Sequence, residues 1–321
     1  MIGGFVCYEN PAIEEETMSR ILPALTNNAP LLLALTALFW GGNAVAGKFA
    51  VGHISPLLLT AARWSLASVI LIALGHRQLR RDWPLIRPRL PYLVAMGALG
   101  FAVFNGLFYT SLLYTTAINV SIIQAGMPMF IFILSFLIFR ARTSLAQAVG
   151  YSLTLCGVTV AALRGEFSAF SDVQINRGDL IMLVAAFLYA GYTVALHAKP
   201  KIHWLSFLAV LITSAAMAAI PLALYESTTD GFIWPATVTG WSVVAYTAIF
   251  PSILSQGFFI RGVELLGGNK SALFLNLVPI FGSFLSVMLL GESFRLFHGI
   301  ALTLVLAGII LAQRLSRASS D

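Results

Sequence analysis

The sequence contains very little charge. Only 10% of its 321 residues are Asp, Glu, Lys or Arg, whereas a soluble domain carries about 25%. Its two cysteines lie in the N-terminal tail and in an apolar segment, so they imply no disulfide framework. Its five histidines are scattered, and no HExxH motif or pairing of a nucleophile with a base is present. These absences disfavour a soluble globule and predict no enzyme activity, no bound metal and no cofactor.

Long apolar blocks make up most of the chain. Hydrophobic residues account for 59% of the sequence and the mean hydropathy is +0.88. The blocks approach the ~20 residues that a helix needs to cross ~30 Å of hydrocarbon, and they lack the alternation of membrane β-strands. The sequence therefore predicts an all-α integral membrane protein with ten transmembrane helices, at 30–51, 56–74, 91–112, 117–139, 145–163, 179–198, 204–224, 240–260, 270–290 and 296–313.

Lysine and arginine are distributed unequally between the predicted loops. The side shared by both termini carries 14 of them and the opposite loops carry 3. Basic residues concentrate in cytoplasmic loops, so both termini are predicted to be cytoplasmic. The net charge of +6 is thus a matter of topology, and the predicted partner is the lipid bilayer and not a nucleic acid.

The N-terminal segment is polar and acidic. It lacks the basic region and apolar core of a secretory signal peptide, and we expect it to be disordered to about residue 20. Met18 heads a more ordinary start, so residues 1–17 are expected to be dispensable. The predicted organisation is a cytoplasmic tail at 1–29, a first repeat at 30–163, a periplasmic loop at 164–178, a second repeat at 179–313 and a cytoplasmic tail at 314–321.

The two halves of the chain resemble each other. A shift of 151 residues lays MPMFIFILS on VPIFGSFLS, so that Pro128 meets Pro279, and it puts Asn105 opposite Gln256. A unit of five spans crosses the membrane an odd number of times. Its copy therefore enters from the opposite side, which predicts two inverted five-helix repeats. Inverted repeats let secondary transporters expose a midplane site alternately to each side.

Several segments carry a resemblance to a known family. They are LFWGGNAVAGKFA, PLLLTAARWSLAS, FNGLFYTSLLYTTAINVSII, PMFIFILS and NKSALFLNLVPIFGSFLSVMLLGESF. In their order, spacing and duplication the chain resembles the EamA-type ten-helix branch of the drug/metabolite transporter superfamily, over about 30–313. The resemblance implies a bacterial inner-membrane permease, commonly an exporter of amino acids or other small metabolites. The first repeat departs from it, because the fourth span ends in FRART where the family usually has a Gly-Glu pair, which the second repeat has as Gly291–Glu292.

Arg63 is the strongest candidate for a functional residue. It lies about eight residues, or roughly 12 Å, into the second predicted span. A guanidinium at that depth costs several kcal/mol unless carbonyls, water or a ligand anion satisfy it. Structural bonding to carbonyls and a role in ligand binding or gating are both open. All 13 acidic residues lie in tails, loops or span edges, which weakly favours a substrate carboxylate over a free cation.

Other polar and aromatic residues lie within the predicted spans. An amide exposed to lipid is costly without a partner, whereas aromatic residues more often pack or form interfacial belts. We predict a substrate-binding cavity lined by Trp40, Asn43, Arg63, Asn105, Tyr109, Gln124, Tyr189, Tyr192, Gln256 and Asn276.

Glycine, proline and lysine residues in the spans each allow two interpretations. Gly41 and Gly42 serve either close helix packing or a looser backbone. Pro128 and Pro279, placed inside the fourth and ninth spans, act as hinges or fix the helix curvature. Lys48 is expected to extend its ammonium to the membrane interface.

The sequence predicts an inner-membrane secondary transporter, an exporter of a small metabolite such as an amino acid or related carboxylate, that works by alternating access. The alternative is an uptake or facilitated-diffusion permease for a drug-like or other metabolite. No segment suited to forming a channel filter is evident, so a channel is disfavoured. The substrate, the coupling ion and the direction stay open, as does the oligomeric state, for which a homodimer is one alternative.

Overall fold

The structure is a computed structural model that describes residues 27–140, 145–163 and 176–317. Within these ranges the chain is helical and contains no β-strand. The predictions for residues 1–20, for the C-terminal residues after 317 and for most of the loop at 164–178 lie outside the described residues.

Helices fill most of the described sequence. In chain order they are α1 (Ala29–Ala50), α2 (Pro56–Ile86), α3 (Leu90–Gly97), α4 (Phe104–Ser111), α5 (Ala117–Ala125), α6 (Met127–Phe139), α7 (Leu145–Ala162), α8 (Arg177–Ala195), α9 (Trp204–Glu226), α10 (Val238–Ile249), α11 (Ser255–Leu266), α12 (Gly268–Phe274), α13 (Leu277–Leu290) and α14 (Leu296–Arg317). Short 3₁₀ turns occupy Arg87–Arg89 and Leu196–Ala198, and π-helical segments occupy Ala98–Val103 and Phe250–Leu254.

The lengths and hydropathy of these helices are those of a membrane protein. Among the described residues, six helical stretches can cross a membrane, at Ala29–Ala50, Pro56–Ser111, Ala117–Phe139, Arg177–Ala198, Trp204–Glu226 and Val238–Leu266. Shorter apolar helices cover Gln147–Ala162, Leu277–Leu290 and Leu296–Ala312. The prediction of an all-α membrane protein is thus confirmed, while the count of ten spans and the inversion of the repeats stay predictions.

Local sequence explains where several helices begin and end. The side chain of Asn28 accepts a hydrogen bond from the Leu31 amide, and Thr116 and Thr237 cap α5 and α10 in the same way. Helix α13 ends where Gly291 adopts a φ of 66°, a conformation that glycine adopts without strain.

Helix α2 is longer than the sequence predicted. The second span was expected to end at residue 74, with a loop at 75–90, but the helix continues to Ile86. The extra segment, GHRQLRRDWPLI, is rich in Arg, Gln and Leu, which have good helix propensity. The basic residues after residue 74 mark the end of the predicted membrane span, but the helix continues beyond that point.

The two matched prolines do not lie inside continuous helices, contrary to expectation. The chain turns at Gly126, and Pro128 falls in the first turn of α6. A second break at 275–276 puts Pro279 near the start of α13. Proline suits the first turn because the amide it lacks would have no helical partner there. The hinge role of both prolines stays a prediction.

The glycines serve close packing of helices within the chain. A Cβ on Gly41 would lie 2.7 Å from the Gly282 amide nitrogen and 2.8 Å from the Val278 carbonyl oxygen, so α1 and α13 meet backbone to backbone. Gly150 meets the Gly308 carbonyl in the same manner, which joins α7 to α14. These faces are occupied within one chain, so they do not support the homodimer, which stays a prediction.

Candidate functional site

A cavity of about 330 Å³ lies between the two halves of the chain. Eight of the ten predicted substrate-binding residues line it, together with both hinge candidates. They are Trp40, Asn43, Arg63, Asn105, Gln124, Tyr189, Gln256, Asn276, Pro128 and Pro279. The structure thus brings together residues from seven predicted spans, four in the first half of the sequence and three in the second.

Arg63 is the centre of a buried hydrogen-bond network. Its side chain is buried, and Nη1 donates to Asn105 Oδ1 at 2.8 Å, to Asn43 Oδ1 at 3.4 Å and to the Tyr109 hydroxyl. Nη2 donates to Ser252 Oγ at 2.6 Å. All four acceptors are neutral, so the network solvates the guanidinium without neutralising its charge.

The acceptors around Arg63 are themselves oriented by further hydrogen bonds. The Tyr109 hydroxyl donates to Asn43 Oδ1 at 2.8 Å, and Ser252 Oγ donates to the Thr247 carbonyl at 2.7 Å. The Asn105 amide donates to the Phe101 carbonyl at 2.9 Å. Each oxygen that faces Arg63 is thereby held with a lone pair toward it, which fixes the guanidinium in position.

Two donors at this network have no partner in the structure. They are Arg63 Nε and the indole nitrogen of the adjacent Trp64, both buried. A buried donor without an acceptor costs about 1–3 kcal/mol. Arg63 and Trp64 both line the cavity, and the guanidinium carbon lies 4.5 Å from the Trp64 ring centroid. The site therefore has excess donors and one excess positive charge.

Both π-helical segments contribute to the site. Phe101 lies in the first, stacks on Trp64 with ring centroids 5.1 Å apart and accepts the Asn105 hydrogen bond. Ser252 lies in the second and binds Arg63. The shift of 151 residues relates the two segments to within about two positions. Such π-segments often occur at functional sites, because the wider turn frees backbone groups and redirects side chains.

Two of the predicted tyrosines lie outside the cavity wall. Tyr109 does not line the cavity but supports it from behind, through Arg63 and Asn43. Tyr192 packs against Phe101, with ring centroids 5.3 Å apart, and against Tyr189 at 5.4 Å. Tyr192 therefore does not line this cavity, and its role in substrate binding stays a prediction.

Sequence reasoning missed several residues of the wall. Aromatic and apolar side chains form much of it, among them Trp64, Phe101, Phe104, Met127, Ile131 and Pro251. Phe101, Phe104 and Asn105 recur at helical spacing, a signal that could have placed them on one face. Ser252 carried no such signal, because a serine in an apolar span is ordinary.

One end of the helix bundle is closed by side chains that bind helix termini. We call it the sealed end, and it contains residues 51–55, 112–116, 227–237 and 291–295. Glu226 accepts the Leu57 and Leu58 amides at the start of α2, at 3.2 and 2.9 Å. Glu292 accepts the Ala117 and Ile118 amides at the start of α5, at 2.8 and 3.0 Å. A carboxylate is favourable at a helix N-terminus.

Lys48 contributes to the same end. Its ammonium donates to the Leu112 and Thr115 carbonyls, both at 2.8 Å, just after α4 ends. The prediction that Lys48 extends to the interface is thus replaced by a cap on a helix C-terminus. Nearby, Asp179 is fully buried and accepts hydrogen bonds from Thr115 and Asn119.

Two helices that run toward the opposite end have few buried residues. We call it the loose end, and it contains residues 75–90, 199–203 and 267. Of the residues in α6, only Met127 and Met129 are buried, and of those in α11 only Ser255 and Gly262. By contrast α5, at the sealed end, is buried from Ala117 to Ile123. The residues that line the cavity belong to neither end.

Comparison with known proteins identifies the family of the chain. The model of the EamA-like transporter family matches the chain twice, at residues 27–163 and 176–313. The chain belongs to the EamA-like transporter family. The resemblance expected from the sequence motifs is confirmed, and the two matches correspond to two copies of the family's domain.

Relatives of this EamA-like chain are transporters by name. It is 27% identical over 297 residues to the uncharacterized transporter YyaM of Bacillus subtilis, and the match covers 90% of this chain and 95% of that protein. It is 26% identical over 275 residues to an S-adenosylmethionine/S-adenosylhomocysteine transporter of Chlamydia trachomatis, covering 83% of each. The chain therefore has the general role of a multi-pass membrane transporter for a small molecule.

A solved structure shares the fold. A protein crystal structure matches 91% of this EamA-like chain and 99% of its own chain, with a TM-score of 0.63 and 20% identity. At that identity the match supports the helical architecture and carries no information on substrate.

Proposed function

We propose that the protein is an alternating-access secondary transporter that exports a small metabolite carrying a carboxylate, such as an amino acid. The observation that carries this proposal is the buried Arg63, which is hydrogen-bonded to neutral groups only and retains an unpartnered Nε donor beside the unpartnered indole of Trp64.

A substrate carboxylate supplies what this network lacks. An unneutralised buried charge is costly, and a carboxylate accepts hydrogen bonds from a guanidinium in a planar, two-point geometry. Binding would give Arg63 Nε and Trp64 Nε1 acceptors and offset the positive charge. The amide groups of Asn43, Asn105 and Gln124, which line the same cavity, can bind the polar remainder of the substrate.

The rest of the wall fits an amphipathic molecule. Trp40 and Tyr189 present aromatic surface, while Gln256 and Asn276 add amide groups from the second half. The named substrates of the Chlamydia relative, S-adenosylmethionine and S-adenosylhomocysteine, each contain an α-amino carboxylate. A shared need to bind such a group supports the assignment without identifying the metabolite.

The two ends of the bundle support an alternating mechanism. In the topology predicted from basic residues, the sealed end is periplasmic and the loose end is cytoplasmic, so we infer that this arrangement is one that loads from the cytoplasm. Breaks next to Pro128 and Pro279 allow the half-helices to tilt. Export requires that the seal at Glu226 and Glu292 opens while the loose end closes, as inverted repeats permit.

Purified protein in proteoliposomes tests the proposal. Counterflow of a labelled amino acid should be saturable, and unlabelled amino acids or organic acids should compete where their methyl esters do not. Efficient competition by the methyl esters, or counterflow of organic cations alone, would remove the carboxylate assignment. A panel run with and without a proton gradient separates coupled export from facilitated diffusion, and the same panel detects uptake.

A further inference from the structure

The segment of α2 beyond the predicted second span lines no part of the cavity. Helix α2 has 31 residues, which gives it a length of about 46 Å at 1.5 Å per residue. The hydrocarbon core is about 30 Å thick. About ten residues at the end of α2 therefore extend past the hydrocarbon, to the level of the lipid headgroups.

This extension changes from apolar to basic over a single turn. Val69 and Leu74 are exposed apolar residues, 66% and 70% accessible, as expected of a surface in contact with lipid chains. Exposed arginines follow directly, at Arg77, Arg80 and Arg81. Their spacing of three and four residues places these three on one face of the helix.

Neighbouring segments add to the same charge. Arg87 and Arg89, in the 3₁₀ turn, are exposed. Asp82 Oδ2 accepts the His203 amide at 3.1 Å, and this hydrogen bond brings the start of α9 against the extension. Lys199 and Lys201, both exposed, lie just before the start of α9. The basic surface is defined here as Arg77, Arg80, Arg81, Arg87, Arg89, Lys199 and Lys201.

Almost nothing on these segments neutralises the basic surface. Asp82 is the only acidic residue within 75–90 and 196–207. It is engaged by the His203 amide and by the Gln78 side-chain amide. These segments therefore present a net positive charge on an exposed surface.

Exposed aromatic side chains set the depth of the basic surface. Trp83 and Trp204 are 45% and 38% accessible, and Leu85 is 57% accessible. Tryptophan prefers the membrane–water interface, where its apolar ring and its N–H group are both accommodated. Arginines among such anchors lie at the level of lipid phosphates, which the planar guanidinium binds in two-point geometry.

We propose that the basic surface is a binding site for the phosphate headgroups of anionic phospholipids in the adjacent leaflet. The site differs from the cavity in location and ligand, and it involves no residue that contacts Arg63. Anionic headgroups bound there hold the extension of α2 and the start of α9 against the membrane.

Native mass spectrometry of the full-length protein in detergent tests this site. Phosphatidylglycerol and phosphatidylcholine with the same acyl chains are titrated separately, and phosphatidylglycerol should bind more tightly. Each basic residue contributes about 1 kcal/mol. The double substitution Arg80→Gln/Arg81→Gln should therefore weaken phosphatidylglycerol binding about 30-fold, whereas Arg80→Lys/Arg81→Lys should retain most of it.

Control measurements define what would overturn the proposal. Arg261 is an exposed arginine of α11 that pairs with Glu264 of the same helix, and Arg261→Gln should leave lipid binding unchanged. Equal binding of both lipids, unchanged binding by the double Gln variant, or an equal loss in Arg261→Gln would each refute a specific headgroup site. Displacement of the lipid by millimolar inorganic phosphate would do so as well, since it would make soluble phosphate the ligand.

Discussion

The sealed end and the loose end of the bundle are built from different contacts. At the sealed end, Glu226, Glu292 and Lys48 bind backbone groups at three helix termini. Near the loose end, Arg261 forms an ion pair with Glu264 in which the side chains are 44% and 51% accessible. Charged groups thus satisfy three helix termini at the sealed end, whereas at the loose end Asp82 satisfies one, at the start of α9.

The two ends also differ in symmetry. Glu226, at the end of α9, caps the start of α2, and Asp82, on α2, accepts the amide that precedes α9. Each of the two helices α2 and α9 thus supplies a carboxylate that binds an amide at the start of the other. Glu292 caps the start of α5, but the corresponding place after α6 has the sequence FRART, with no acidic residue. The first repeat therefore lacks the acidic residue that would make this second pair of caps reciprocal.

The largest effect is expected at the residue between the two ends. Arg63→Gln should lower the initial transport rate by roughly tenfold or more, because hydrogen bonds to a charged group contribute about 1.5–3 kcal/mol each. Arg63→Lys keeps the charge but loses the planar guanidinium, and its transport rate should lie between those of the unchanged protein and Arg63→Gln. Transport assays in proteoliposomes at equal protein content measure this. A normal rate in Arg63→Gln would show that the substrate does not depend on this network.

The next effect is expected where α1 and α13 meet backbone to backbone. Gly41→Ala places a Cβ 2.7 Å from the Gly282 nitrogen, and separating the helices should cost about 1–3 kcal/mol of unfolding free energy. Gly257→Ala is the matched control, because a Cβ there meets nothing within 4 Å. Thermal unfolding in detergent compares the two. Equal midpoints for both variants would contradict the tight contact at Gly41.

Removing a cap at the sealed end should have a smaller effect. Glu292→Ala leaves the Ala117 and Ile118 amides without their carboxylate and should cost about 0.5–2 kcal/mol. It should also raise the reactivity of a cysteine introduced at Thr116 toward a membrane-impermeant thiol reagent. The Thr116→Cys single variant is the reference. Unchanged reactivity would mean that Glu292 does not hold this barrier closed.

The smallest effect is expected at the loose end. Arg261→Gln removes an exposed ion pair with Glu264, and such pairs contribute about 0–1 kcal/mol. The unfolding midpoint and the transport rate should both stay close to those of the unchanged protein. A loss as large as that of Glu292→Ala would show that the loose end is held as firmly as the sealed one.

Much of the site was accessible from the sequence, for a simple reason. Polar groups at membrane depth are costly without partners, so Arg63, Asn43, Asn105 and Gln124 were expected to gather around a polar cavity, and the structure brings them together. Tyr192 was expected in the lining and does not lie there, because span depth does not indicate which way a side chain points. The role of Lys48 was missed for a related reason, since its acceptors lie 64 and 67 residues away.

The sequence by itself determined that this is an all-α membrane protein with a buried arginine, because hydropathy and charge act locally and can be counted along the chain. Only the tertiary structure decided which acceptors surround Arg63, which donors beside it stay unpartnered and which end of the bundle is sealed. Those features depend on contacts between residues far apart in the chain, such as Arg63 with Ser252. No local pattern encodes the distance between them.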